Sequence, residues 1–151
     1  MWLREAIALA VDSARTRAGG PFGALLVKNG SVWGRGANRV TATHDPTAHA
    51  EIIALREACA KAGSPHLPGA VLYASCEPCP MCFAAACWAG VSAVYFAATR
   101  HDAAAAGFQD AGLYAQLALP PESRIVPCRR LEVPAVEPFE LWNADPHKRT
   151  Y

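Results

Sequence analysis

The sequence contains no long apolar run. Although 52% of its 151 residues are hydrophobic, no stretch approaches the roughly 20 consecutive apolar residues that a membrane-spanning helix needs. Near the N-terminus the apolar positions are interrupted by Glu5, Asp12 and Arg15, unlike the unbroken apolar centre of a signal peptide. We therefore expect a cytoplasmic protein that does not act at a membrane.

The net positive charge is also small. Only three residues are lysine and the formal net charge is +1, so the electrostatic attraction to phosphate backbones is weak. The adjacent basic pairs at 129–130 and 148–149 are explained as ordinary solvent-exposed surface. This composition favours a small-molecule substrate over a nucleic acid.

The length suits one compact domain, residues 1–151, and the chain has no internal repeat and no low-complexity linker. Six cysteines are present. In a cytoplasmic chain of this size they are typical of free thiols and metal ligands rather than disulfides.

Hydrophobic periodicity and turn signals predict a three-layer α/β/α fold with a mixed sheet of five strands. The sheet begins in a hairpin, strands 22–28 and 31–37, because Asn29-Gly30 is a strong two-residue turn signal. Strands are also predicted at 70–75 and 92–97, and an edge strand at 124–133, since Pro127 excludes a central position. Helices are predicted at 2–17, 48–62, 80–89, 110–117 and 137–143.

Two motifs at predicted helix starts carry metal-binding residues. His49 begins one helix, and Cys79 and Cys82 lie in the first turn of another. Cysteines three residues apart share a helix face, and the positive helix end favours their thiolate forms. A set of three protein ligands leaves room for a water, whose pKa zinc lowers to about 7. We therefore expect one catalytic Zn²⁺ per subunit.

Glu51 and Cys76 complete this region. Glu51, two residues after His49, is placed to carry a proton from that water to a leaving amine. Cys76, Cys79 and Cys82 are evenly spaced, so any two of them could bind the metal. Because Cys76 comes at a strand end before Pro78, we expect it to lie outside the ligand set.

Longer stretches resemble the bacterial guanine deaminases of the cytidine deaminase-like fold. The matching stretches are 19–24 (GGPFGA), 45–51 (DPTAHAE) and 75–82 (SCEPCPMC), with more selective matches at 102–110 and at the C-terminal Tyr151. The zinc motifs are those of zinc-dependent base deaminases in general. The selective matches separate the chain from transfer-RNA adenosine deaminases. The resemblance implies hydrolytic deamination of guanine to xanthine and ammonia.

The same resemblance implies substrate contacts. Asn38 would hydrogen-bond the purine, and Asp110 would accept from the N–H groups that guanine presents where adenine has an acceptor. The family further implies a homodimer that exchanges a C-terminal segment, about 134–151, so that Tyr151 acts in the partner's site. The remaining implied substrate-binding residues are Phe22, Ala50 and Trp88.

Two departures leave the substrate open. Gln109 stands where the family commonly has an acid, and His44 where an asparagine is frequent. The alternatives are a related heterocycle such as ammeline, a nucleoside such as guanosine or cytidine, a transfer-RNA adenosine deaminase, and a catalytically idle zinc-stabilised binding module.

Overall fold

In the computed structural model, which describes residues 1–150, strand β1 (Gly23–Lys28) is buried on both faces. It pairs antiparallel with β2 (Ser31–Ala37) and with β3 (Val71–Cys76), and β3 pairs parallel with β4 (Ala93–Ala98). The sheet is therefore mixed, in the order β2-β1-β3-β4. The predicted hairpin is confirmed, and both turn residues have positive φ, 51° at Asn29 and 69° at Gly30.

Helices cover both faces of this sheet, as predicted. Helix α1 (Trp2–Thr16) packs Ala6 against Leu25 and Val27 of β1 on one face. The opposite face carries α3 (Ala50–Ala62) and α4 (Pro80–Trp88), whose small buried side chains pack around Leu26 and Leu72. A one-turn helix, α2 (Val40–Thr43), lies in the predicted loop before α3.

The backbone of α3 packs directly against the backbone of β2 because Gly36 has no side chain. A Cβ atom built at Gly36 would overlap the carbonyl oxygen of Ala50, the first residue of α3. Any larger residue would push this end of the helix away from the sheet, at a cost of about 1–3 kcal/mol. This contact fixes the position of the helix start that carries His49 and Glu51.

Helix α5 (Arg100–Ala105) was not predicted as a helix. The Thr99 hydroxyl accepts from the Asp102 backbone N–H at 3.3 Å, and the Asp102 carboxylate accepts from the Thr99 backbone N–H at 2.7 Å. This reciprocal capping box is a sequence signal that could have located the helix.

The fifth strand, predicted at 124–133, is wrong: within residues 1–150 the sheet has four strands. The Ile125 N–H donates to Gln116 Oε1 at 2.6 Å and the Cys128 N–H donates to the Pro121 carbonyl at 3.0 Å. These local hydrogen bonds occupy backbone N–H groups that pairing with a neighbouring strand would need, and Pro127 has no backbone N–H.

Residues 1–111 and 112–150 form two compact units. The second unit contains most of α6 (Ala111–Ala118), a short 3₁₀ turn (Pro121–Ser123) and α7 (Glu137–Ala144). Helices α6 and α7 match their predicted bounds within one residue. Among the described residues, no helix has the length and apolar character that a membrane crossing requires.

Candidate active site

The two metal-binding motifs meet at the N-termini of α3 and α4. His49 is the last non-helical residue before α3 and Cys79 the last before α4, and both have extended backbone. Pro80 begins α4, a position where its missing N–H costs nothing, and Cys82 follows in the first turn. The positive ends of two helix dipoles therefore lie at the site and favour anionic ligands.

The three ligand atoms are spaced as zinc requires. His49 Nδ1 lies 3.6 Å from Cys79 Sγ and 3.5 Å from Cys82 Sγ. A tetrahedral ion with Zn–S bonds of about 2.3 Å and a Zn–N bond of about 2.0 Å holds such atoms about 3.5 Å apart. No further histidine, cysteine or acid joins this group within residues 1–150. The set fits a zinc ion with one position left for water.

The two sulfurs differ in acidity. Hydrogen bonds from Cys82 and His49 lower the pKa of Cys79 to about 4, against the effect of burial. The interaction with Cys79, together with burial, raises the pKa of Cys82. Metal binding requires both sulfurs as thiolates, so it is coupled to the loss of the proton that the pair shares.

Glu51 is a buried carboxyl beside the ligands. It is 7% exposed, and burial is the main cause that raises its pKa above the usual range. The charge on Cys79 raises this pKa further, and Glu51 also interacts with the Cys82 thiol. A carboxyl with a raised pKa next to a metal site is suited to hold and release a proton.

Cys76 stays outside the ligand group, as the sequence led us to expect. It is buried, and its thiol donates to the Thr99 carbonyl at 3.4 Å. Burial raises the pKa of Cys76, and the charges of Glu51 and Asp110 raise it further. The Cys76 sulfur is therefore within electrostatic range of both carboxylates.

Asn38 is buried, and its amide orientation is set by hydrogen bonds. Its Oδ1 atom accepts from the backbone N–H of Gly20 at 3.1 Å and of Val40 at 3.2 Å. Because both N–H groups donate to Oδ1, the amide oxygen must face Gly20 and Val40, and the NH₂ group faces away from them. Asn38 can therefore present only donors to a ligand.

Phe22 and Phe108 form an aromatic pair, with ring centroids 4.9 Å apart and planes at 86°. This edge-to-face contact joins the residue before β1 to the loop that carries Asp110. Phe108 was not among the predicted substrate-binding residues. Its position in the matched 102–110 stretch is the signal that could have found it.

The other predicted substrate-binding residues have different surroundings. Ala50 is fully buried between His49 and Glu51. Trp88 is 67% exposed and lines a groove of about 440 Å³ on α4 with Phe83, Ala84 and Cys87. Tyr151 lies outside the described residues.

His44 is exposed and ends α2 in the left-handed region, with φ of 53°. The next residue, Asp45, accepts from the Thr47 N–H and hydroxyl at 2.8 and 2.7 Å, which lowers the Asp45 pKa. These bonds shape the turn that leads into His49.

Residues 1–98 match the family described as the cytidine and deoxycytidylate deaminase zinc-binding region. The chain belongs to this family. His49, Cys79 and Cys82 are therefore its zinc site.

One similarity covers both units of the chain. The sequence is 42% identical to a guanine deaminase from Bacillus subtilis (strain 168), over 99% of this chain and 97% of that protein. The X-ray structure of guanine deaminase from Bacillus subtilis superposes with a TM-score of 0.96, covering 99% of this chain and 96% of that one. This full-length likeness groups the chain with the guanine deaminases.

Other similarities are shorter. A guanine deaminase from Nitrosomonas europaea is 34% identical with a TM-score of 0.68, covering 72% of this chain and 63% of that one. A tRNA-specific adenosine deaminase from Agrobacterium fabrum (strain C58 / ATCC 33970) is 46% identical over 86 residues, 57% of each protein.

Zinc content tests the ligand set. The Cys82→Ala variant loses a ligand, so we expect its zinc to fall from about one per chain to a small fraction, measured by mass spectrometry after dialysis. Cys76→Ala is the matched control and should keep its zinc. If both variants lost zinc equally, Cys76 would belong to the site and the assignment would be wrong.

Proposed function

We propose that the protein hydrolyses guanine to xanthine and ammonia. The observation that carries this proposal is a three-ligand zinc site with the buried Glu51 carboxyl beside it, in a chain that resembles a guanine deaminase over its whole length. The reaction replaces the C2–N bond of the base by a C2–O bond. Water supplies the oxygen and two protons.

Zinc, when bound by these residues, would lower the pKa of a water molecule to about 7 and so supply a nucleophile at neutral pH. Glu51 would accept one proton of this water and pass it to N3 of the base, and would then carry the second proton, from the new C2 hydroxyl, to the departing amine. The burial that raises the pKa of Glu51 supports this role, because the side chain must hold the proton between the two transfers.

Asn38 and Asp110 would recognise opposite edges of the base. Since Asn38 presents only donors, it fits a ring nitrogen or carbonyl acceptor of guanine. A carboxylate at 110 fits the N–H groups of guanine and is repelled by the acceptor nitrogen of adenine. Phe22 would supply an aromatic wall, held by Phe108, and Ala50 would line the site.

The length of the similarities supports guanine over a transfer-RNA substrate. The adenosine deaminase similarity spans 57% of the chain, whereas the guanine deaminase similarity spans 99% and so includes the second unit. The formal net charge of only +1 also offers little attraction to a phosphate backbone.

Replacing Glu51 with Gln tests the proton transfer. We expect Glu51→Gln to bind zinc normally and to lose at least about a thousandfold in kcat for guanine, because the amide cannot carry the proton. Xanthine formation followed by absorbance, with zinc content measured on the same sample, gives both values. A variant with near wild-type turnover would contradict the proposed role, and wild-type protein that makes no xanthine would contradict the proposed reaction.

We also propose that the protein is a cytoplasmic homodimer, one Zn²⁺ per subunit, in which the segment 134–151 is exchanged. The second unit exposes large apolar side chains, among them Ile125 at 82%, Leu131 at 75% and Phe139 at 67%. A monomer rarely leaves so many large apolar side chains exposed.

All six cysteines are unpaired in the structure, which suits a reducing compartment. Tyr151 and Trp88 would complete the site in this dimer.

Mixing two inactive variants tests whether Tyr151 acts in the partner's site. One chain carries Glu51→Gln and the other lacks Tyr151. If the chains exchange freely, half of the dimers are mixed and each holds one complete site, so about a quarter of wild-type activity should return. Light scattering should show twice the mass of one chain. A mixture no more active than its separate components would place Tyr151 in its own subunit or outside the site.

A further inference from the structure

Ser13 is a buried polar residue on the inner face of α1. It is 3% exposed and lies on the same helix face as Ala6 and Ala10, which are also buried. Its hydroxyl donates to the Gly20 carbonyl at 3.0 Å and lies 3.4 Å from the Asn38 carbonyl oxygen. Among small apolar neighbours, this hydroxyl links the helix to the segment that orients Asn38.

The turn at residues 19–20 lies directly against Asn38. A Cβ atom built at Gly19 would overlap the Asn38 carbonyl oxygen, so no side chain separates the turn from this residue. The Gly20 N–H in turn donates to Asn38 Oδ1 at 3.1 Å. Ser13 therefore contacts Gly20 through the carbonyl, and Gly20 contacts the Asn38 side chain through the amide.

The two donors on Asn38 Oδ1 are not equivalent. Val40 is two residues after Asn38, so its hydrogen bond to Asn38 Oδ1 is local and does not depend on the position of the 19–20 turn. The Gly20 bond spans 18 residues and depends on where the turn is held. Phe22 also holds the turn, because its N–H donates to the Gly20 carbonyl at 2.8 Å and its carbonyl accepts from the Asn38 N–H at 3.0 Å. These backbone bonds remain when the Ser13 hydroxyl is removed, so the loss of that hydroxyl should loosen the turn rather than release it.

We infer that Ser13 is a positioning residue for base recognition: its hydroxyl holds the 19–20 turn so that the Asn38 amide presents its NH₂ group to the purine. This inference rests on the role of Asn38 under the proposed function. Ser13 itself touches no substrate and acts through Gly20 and Asn38.

A double-mutant cycle tests the inference. Ser13→Ala removes one oxygen atom without adding bulk, and losing one hydrogen bond should lower kcat/KM for guanine about fivefold. In an Asn38→Ala background, the same change should have almost no further effect, because the group that Ser13 positions is gone. Zinc content should be the same in all four proteins.

Thr16→Ala is the matched control. The Thr16 hydroxyl lies one turn along α1, donates to the Asp12 carbonyl at 2.7 Å and lies 3.4 Å from the Ser13 carbonyl. Its removal costs a hydrogen bond on the same helix but leaves the Ser13 hydroxyl and its bond to Gly20 in place. We expect it to leave kcat/KM unchanged. Thermal unfolding of both variants separates loss of stability from loss of recognition.

The outcomes separate this inference from the function it rests on. An equal loss from Ser13→Ala in both backgrounds, or no loss at all, overturns the role of Ser13 and leaves that of Asn38 intact. Full activity of Asn38→Ala on guanine overturns the role of Asn38 and the inference with it.

Two substitute measurements keep the cycle complete. If Asn38→Ala turns over too slowly, xanthine binding by calorimetry gives the same cycle. If Ser13→Ala does not fold, Ser13→Cys, with its weak thiol donor, replaces it.

Discussion

The zinc site depends on two helices beginning at the same place. Helix α3 reaches it because Gly36 lets the helix start contact β2 directly, and α4 reaches it because the turn 77–79 follows β3 immediately. Strand β1 pairs with both β2 and β3, so one strand sets the separation of the two helix starts. The imidazole nitrogen then lies 3.5–3.6 Å from the two sulfurs. Packing in the sheet therefore determines the geometry of the ligands.

The pKa values of two neighbouring groups in the zinc site are shifted in opposite directions. The helix ends and the neighbouring donors favour a thiolate, and the pKa of Cys79 falls to about 4. Burial acts on the carboxyl of Glu51 and raises its pKa. Two groups with pKa values shifted in opposite directions can take different roles in one site. Under the proposed function, Cys79 holds the metal and Glu51 moves the proton, and the choice of base would depend on Asn38 and Asp110.

The sequence predicted most of what depends on local signals. Asn29-Gly30 located the hairpin, and the spacing of Cys79 and Cys82 located the ligands. Cys76 was excluded correctly because it ends a strand. The predicted strand 124–133 failed because its N–H groups bond to Gln116 and Pro121, which the pattern of apolar residues does not reveal.

Contacts between distant segments were also invisible in the pattern. In the sequence Gly36 is one residue of a predicted strand, and nothing there indicates that the start of α3 packs against it. The link from Ser13 to Asn38 joins residues 25 positions apart, and the Phe22–Phe108 pair joins residues that no local motif connects. Such pairs follow from tertiary packing, which a single sequence does not specify by periodicity.

The most direct measurement is ammonia release by the zinc-loaded protein from guanine, adenine, guanosine, cytidine and ammeline, compared as kcat/KM. If Asn38 donates to the base and the Asp110 carboxylate accepts from its N–H groups, as proposed, guanine should be preferred by at least about a hundredfold. Equal or faster release from adenine, a nucleoside or ammeline would contradict the assignment of guanine as the substrate.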